Sequence, residues 1–315
     1  MNKLIVSSSP HIHSGASTRR IMLDVVIALL PATVAAVVLF GLKALLLIAV
    51  SVATSVISEF VFNLIVKQKQ TVGDLSAVVT GLLLALNLPS TTTVWQTIVG
   101  ASFAIIVVKC LFGGIGCNFA NPAITARIMM IIAFSQVGGG SNPTGTDVVA
   151  GATPLEAIKN GDLDSLPSLL DMLLGNRGGA IGETCAIALL VGGVYLIVRK
   201  VIGWHTPVVY IGTVFILSLI IKQDLTVALY QMLGGGLVIG AVFMATDYST
   251  TPTNTLGKVV FALGCGILTV VIRFWASYPE GVSYAILVMN ILSPYIEKLC
   301  APRPFGKVGN KNENK

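Results

Sequence analysis

The sequence predicts an all-α polytopic membrane protein, with about ten transmembrane helices in two inverted five-helix repeats that contain interrupted helices. Three observations predict it: an oil-rich, charge-poor composition, a series of apolar runs of spanning length, and a weak internal duplication with five runs in each copy. Of 315 residues, 54% are hydrophobic and 11% charged, and the mean hydropathy is +0.86. A soluble domain carries about 25% charged residues. This chain cannot cover a water-facing surface, so the bilayer is its solvent.

A helix needs about 20 apolar residues to cross the hydrocarbon. The apolar runs lie near 21–41, 44–66, 75–89, 94–112, 119–136, 180–198, 206–221, 228–246, 257–275 and 283–299. The third is short and ends in "NLPSTTT", where Pro89 removes a backbone donor, so a partial span is expected there. The first twenty residues lack the apolar core of a signal peptide, so the first span is expected to direct insertion.

Charge then orients the runs. With a cytoplasmic N-terminus, fourteen Lys and Arg residues fall on inner loops and ends, and Lys43, Lys159, Arg177, Lys222 and Arg273 fall outside, leaving Arg127 within the fifth run. The positive-inside rule therefore puts both termini in the cytoplasm and makes the net charge of +6 a topology signal, with no nucleic-acid partner implied. The expected organisation is an N-terminal arm (1–20), a first repeat (21–136), an extracytoplasmic loop (137–179), a second repeat (180–299) and a cytoplasmic tail (300–315). Within the loop, "DLDSLPSLLDMLLG" is expected to form a short surface helix.

The duplication rests on "GLLLALNLPSTT" (81–92) against "GAVFMATDYSTT" (240–251), and on "GCNFA" (116–120) against "GVSYA" (281–285). An odd number of spans per copy inverts one copy relative to the other. Inverted repeats with broken helices are how transporters build a midplane site. Ser, Thr, Asn and Asp at the breaks are tolerated beside protein or a wet cavity. Recurrent Gly and Ser/Thr also have a plain packing use in membrane helices.

Ionisable residues within apolar runs mark function by default. Glu59 and Asp247, with Thr250 and Thr251, are the candidates for a cation path. Arg127 is free to pair with either carboxylate or with a ligand phosphate. Asp24 and Glu183 sit at run ends and read more readily as solvated carboxylates. The five cysteines, Cys110, Cys117, Cys185, Cys265 and Cys300, form no CxxC pair and read as small core residues. His11, His13 and His205 offer no second pair of metal ligands, and no metal is expected. No Walker loop, dinucleotide fingerprint or nucleophile elbow occurs.

The outer loop carries "DVVAGATPLEA" (147–157). Thr153, Pro154 and Glu156 form an N-cap, first-turn proline and N3 acid, which predicts a helix start. A covalent attachment point at Thr153 is the sharper alternative.

The stretches "SSSPHIHSGASTRRIMLDVVIALLPA", "TGLLLALNLPSTTTVW", "GGIGCNFANPA", "GATPL", "MATDYSTTPTN" and "PEGVSYAILVMN" together resemble the RnfD family, the D subunits of the Rnf ion-translocating ferredoxin:NAD oxidoreductase complex. That family is related to the B subunits of the sodium-pumping NADH:quinone oxidoreductase. The resemblance covers nearly the whole chain. It implies FMN esterified to Thr153, within a pattern that here reads Asp147, Val148, Val149, Ala150, Gly151, Ala152, Thr153 and departs from the family at Ala150, where a hydroxyl is usual. It also implies a flavin transferase acting outside the membrane, and flavoprotein and iron-sulfur partner subunits. A second, non-covalent flavin such as riboflavin is allowed near the broken helices. The expected function is an electron-relaying membrane subunit, coupled to Na⁺ or H⁺ transport, in a bacterial or archaeal cytoplasmic membrane. As such it is a translocase component that does not itself act on NAD or ferredoxin. The alternative is a non-redox channel or transporter of a small solute with the same five-plus-five plan.

Overall fold

A computed structural model of the chain describes residues 17–134, 137, 153–161, 166–276 and 280–301, with the backbone of 140–141 and 150–151. Their regular structure is almost entirely helical. Ser17 caps α1 (Thr18–Val66) by accepting from the Arg20 amide. At about 1.5 Å per residue this helix is far longer than one membrane crossing. Gly41, at φ 71° and ψ −160°, breaks it into two stretches of similar length. An L side chain resists that backbone conformation, and glycine does not. The first two runs of the sequence are therefore two helical stretches that meet at a kink at Gly41, with no loop between them.

There follow α2 (Ser76–Leu86), α3 (Val94–Phe103) running into a π-helical stretch (Ala104–Cys110), and α4 (Pro122–Ala133). A two-residue antiparallel ladder pairs β1 (Gly140–Ser141) with β2 (Ala150–Gly151). Then come α5 (Pro154–Asn160), α6 (Leu169–Leu174), α7 (Ala186–Val198) and α8 (His205–Lys222). The second half ends with α9 (Leu225–Leu233), α10 (Leu237–Ile239) continued by a π-helical turn (Gly240–Met244), α11 (Thr255–Trp275) and α12 (Val282–Leu299).

Among the described residues, α1, α8 and α11 are long and apolar enough to cross a membrane, and the α9–α10 pair, bent by 60°, makes a fourth if it is one span. The runs expected at 75–89, 94–112, 119–136 and 180–198 form shorter apolar helices. Polar turns cut them back: Asn87 caps the end of α2, Thr93 and Gln96 form a capping box at α3, and Asn121 with Pro122 starts α4. The expected surface helix in the outer loop is α6.

The molecule is inverted relative to a soluble domain. Ser51, Ser55, Glu59, Asn87, Gln96 and Arg127 are buried, whereas Leu42, Val38 and Val198 are 80%, 77% and 73% exposed. Apolar side chains facing outward along the helices meet lipid, and the polar groups satisfy one another inside. Small residues bring the helices close. A Cβ on Gly81 would lie 2.9 Å from the Ser51 carbonyl of α1, and one on Gly192 would lie 2.1 Å from the Ala28 carbonyl. Tight packing of this kind replaces the hydrophobic drive that lipid removes.

The two ends of α11 define two poles. At its start, Asn254 donates to the Cys300 carbonyl at the end of α12, and Thr253 donates to Glu297. At its far end, the Lys159 ammonium of α5 donates to the Ala276 carbonyl. The end of α12 and the Thr153 helix thus lie at opposite poles.

Candidate functional site

Helix breaks from the two halves meet in two polar junctions. The first lies between the turn ahead of α4 and the turn after the α10 π-helix. Asp247 accepts from the Ser249 hydroxyl at 3.1 Å, from the Thr250 hydroxyl at 3.3 Å and from the Asn121 amide at 3.4 Å. Asn118 donates to the Ser249 hydroxyl at 3.3 Å, while its own carbonyl oxygen is buried without a hydrogen-bond partner. Asn290 of α12, with its amide turned to suit both neighbours, donates to the Thr250 carbonyl and accepts from the Asn121 N–H. No cationic side chain takes part in these interactions: a single carboxylate is held by neutral donors.

This junction opens on a small, partly open cleft with mostly apolar walls, whose lining includes Met22, Thr80, Lys109, Asn118, Phe243 and Asp247. Behind one wall lies a buried ion pair. Lys109 donates to Glu59 at 2.8 Å and to the Ser76 hydroxyl at 2.6 Å, and Thr71 donates to Glu59 at 2.6 Å. The second oxygen of Glu59 is buried without a hydrogen-bond partner. The sequence places Lys109 at the inner end of the fourth run; in the structure it is 2% exposed, in the π-helical stretch that continues α3.

The second junction joins the end of α2 to the turns ahead of α7 and α12. The Arg127 guanidinium donates to Asn87 at 2.9 Å, lies 2.9 Å from Glu183 and pairs with Glu280. Backbone bonds reinforce the contact: the Ile181 N–H donates to the Leu88 carbonyl and the Gly182 N–H to the Leu86 carbonyl. Arg177 donates to the Glu183 carbonyl at 2.7 Å, and Arg273 donates to Gln231 and to the carbonyls of Gly234 and Glu280. Glu280 lies in the turn before α12. Burial pushes its carboxyl up to about 7, the positive charge of Arg127 opposing and the Glu183 carboxylate adding to the shift.

Three sequence expectations are corrected here. Arg127 pairs with Glu183 and Glu280 rather than with Glu59 or Asp247. Glu183 is 2% exposed, so it is not a solvated carboxylate. Asp24 is likewise buried, paired with Arg199 at 3.2 Å and accepting from the Tyr195 hydroxyl. Both carboxylates sit at helix ends that look interfacial in the sequence, and both are covered by a neighbour from the other half of the chain.

The cation-path candidates separate. Asp247 and Thr250 share the first junction. Thr251 donates to the Asp247 carbonyl at 2.6 Å and ties down the turn, away from the carboxylate. Glu59 stands behind Lys109 and does not line the cleft. Asn118, Asn121, Ser249 and Asn290 complete the junction. Sequence reasoning does not single them out, although "GCNFANP" and "DYSTTP" carry the signal of polar residues beside helix-breaking Gly and Pro.

At the opposite pole, Thr153 caps α5: its hydroxyl accepts from the Glu156 N–H at 3.3 Å, with Pro154 in the first turn, as expected. Thr153 is 6% exposed. Gly151 belongs to β2, paired with Gly140. Asp147 and Ala152 lie outside the described residues. An ester oxygen accepts the same amide hydrogen bond as a hydroxyl, so the cap geometry is compatible with a phosphoester at Thr153. Leu155 anchors the helix by packing over Gly234 and Gly235, the break between α9 and α10.

The sequence profile of the NQR2, RnfD, RnfE family matches residues 5–306. The chain belongs to this family. Members similar to it over nearly their whole lengths include the D subunit of the Na⁺-translocating ferredoxin:NAD⁺ oxidoreductase complex of Acetobacterium woodii, 46% identical over 99% of this chain and 98% of that protein. The D subunit of the proton-translocating ferredoxin:NAD⁺ oxidoreductase complex of Clostridium ljungdahlii is 39% identical over 97% of both chains. The D subunit of an ion-translocating oxidoreductase complex of Methanosarcina acetivorans is 33% identical over 99% of this chain and all of that protein. RnfD-type relatives thus carry names with different ions, so identity at this level does not fix the ion.

Proposed function

We propose that this chain is the RnfD-type membrane component of an Rnf ion-translocating oxidoreductase complex, carrying FMN as a phosphoester on Thr153 and relaying electrons in a chain coupled to Na⁺ or H⁺ transport. The observation that carries the reading is the full-length similarity to RnfD-type relatives, together with a Thr153 held at a helix cap in the "GATPL" stretch. Flavin supplies the electron transfer when bound, and the protein supplies position and electrostatics. In the folded chain the Thr153 hydroxyl is covered, so attachment by a flavin transferase precedes the docking of α5 or requires the helix to lift from Gly234 and Gly235.

The ten-span, two-repeat arrangement is part of this proposal. It is supported by the way breaks from the two halves come together: residues 118–121 meet 247–250, and Asn87 and Glu280 both bind Arg127. On this reading both termini are cytoplasmic and Thr153 is extracytoplasmic, in line with the opposite poles of α11. Flavoprotein and iron-sulfur subunits of the complex are the electron partners.

Asp247, Asn118, Asn121, Ser249 and Thr250 are the proposed polar step of the ion path. A carboxylate among neutral oxygens holds a small cation more readily than one already neutralised by arginine. A second, non-covalent flavin, if bound, would lie near these helix breaks. A non-redox solute transporter shares the same plan, and no observation specifically favours it.

The test is direct. Full-length protein co-expressed with a flavin transferase is denatured, run on a gel and viewed under ultraviolet light. The expected result is a fluorescent band and an intact mass raised by one FMN less water, both lost in Thr153→Ala. A fluorescent Thr153→Ala band overturns the attachment site, and a dark wild-type band overturns the flavin reading.

A further inference from the structure

Three guanidinium groups and two carboxylates are buried together beneath α5. Arg127 makes both carboxylate contacts, whereas Arg177 and Arg273 are held by carbonyl groups and by the Gln231 amide. With both carboxylates ionised, these five residues hold one more positive than negative charge. Such a surplus is costly in a low-dielectric interior unless negative charge lies near it.

α5 sits on that surplus. The point a Cβ would occupy on Gly235 is 2.8 Å from Leu155, 3.4 Å from the Arg273 guanidinium and 3.8 Å from Glu280. One leucine side chain, two residues from Thr153, therefore separates the helix from the cluster. Lys159 pins the other end of α5 to the Ala276 carbonyl, just past Arg273. A Cβ on Gly236 would lie 2.6 Å from Glu183 and 3.2 Å from Arg127, so the Gly234–Gly236 break is the plane across which the helix and the charges meet.

We propose that the Arg127, Arg177, Arg273, Glu183 and Glu280 cluster is the charge-compensation site for the group carried on Thr153, its surplus positive charge favouring added negative charge there and so raising that group's reduction potential. This rests on Thr153 being the flavin carrier. Glu280 trims the surplus. It is the partly exposed member, at 19%, and the charged groups recorded around it are Arg127, Arg273 and Glu183. Removing its charge strengthens the positive field, and removing the charge of Arg273 weakens it.

The experiment is a spectroscopic redox titration of the covalent flavin in the full-length, transferase-modified chain. At alkaline pH, where Glu280 is ionised, and at a fixed potential near the wild-type midpoint, the reduced-to-oxidised ratio is expected to rise about threefold or more in Glu280→Gln and to fall by a similar factor in Arg273→Gln, the scale of one unit charge acting through protein. Arg273→Lys keeps the charge and is expected to keep the wild-type ratio. Because Arg273 also ties three elements together, Glu280→Gln alone decides the matter if Arg273→Gln fails to fold. Equal ratios in wild type and Glu280→Gln, both carrying flavin, overturn the inference. Absence of covalent flavin from the wild type overturns instead the reading beneath it.

Discussion

The two polar junctions each join helix breaks from the first and second parts of the chain, yet they are satisfied in opposite ways. At the Arg127 junction every carboxylate faces a guanidinium, and the groups lock into a network with backbone carbonyls. At the Asp247 junction the carboxylate faces only amides and hydroxyls, beside an open cleft. A buried charge balanced by a fixed counter-charge is a structural clamp, and removing one partner strands the other. A carboxylate held only by neutral donors has no fixed counter-charge. The joint near the Thr153 pole is thus closed by ion pairs, and the joint near the pole where α12 ends is not.

Substitutions can break or sharpen this contrast. The largest effect is expected from Arg127→Met, which leaves Glu183 and Glu280 buried without their cation and costs about 3–5 kcal/mol. It should register as loss of monodisperse protein in detergent or a large fall in thermal midpoint. A midpoint near that of the wild type contradicts the clamp. Gly192→Leu comes next: its Cβ would meet the Ala28 carbonyl at 2.1 Å. Overpacking of this kind costs about 1–3 kcal/mol or more, read in the same assay.

Thr153→Ala removes an N-cap, and about 1 kcal/mol of stability is expected to go with it. A smaller loss, with the flavin also gone, would separate the two roles of this residue. A further contrast concerns pH. The Glu280 carboxyl, ordinarily near 4.5, is raised to about 7 in the folded chain. A carboxyl raised in this way contributes stability that is complete below its unfolded value and fades as pH rises through about 7. Thermal midpoints should therefore fall between about pH 5 and pH 8, by less in Glu280→Gln than in the wild type. Parallel pH profiles for the two proteins contradict that coupling.

Much of this organisation is legible in the sequence, because its signals are local. Apolar runs locate the long helices, Pro89, Pro122 and the Ser-Thr-Thr stretches locate the breaks, and Thr153-Pro154 locates the start of α5. What the sequence does not reveal is pairing. Arg127 meets Glu280 across 153 positions, and Asn118 meets Ser249 across 131. Periodicity carries no information on which break meets which. Glu183 and Asp24 mislead for the same reason: a residue at the end of an apolar run faces water or a neighbour according to the tertiary fold. Gly41, by contrast, ends the first apolar run in the sequence, and its positive φ marks the kink in α1 at that point.

The contrast between the joints is tested most directly by ion transport per electron in the reconstituted complex, with Asp247→Asn set against wild type at equal flavin content. Transport per electron is expected to fall severalfold in Asp247→Asn while the covalent flavin stays on Thr153 and the chain stays folded. An unchanged ratio in that variant contradicts the assignment of Asp247 to the ion path, and leaves its junction as a second structural joint.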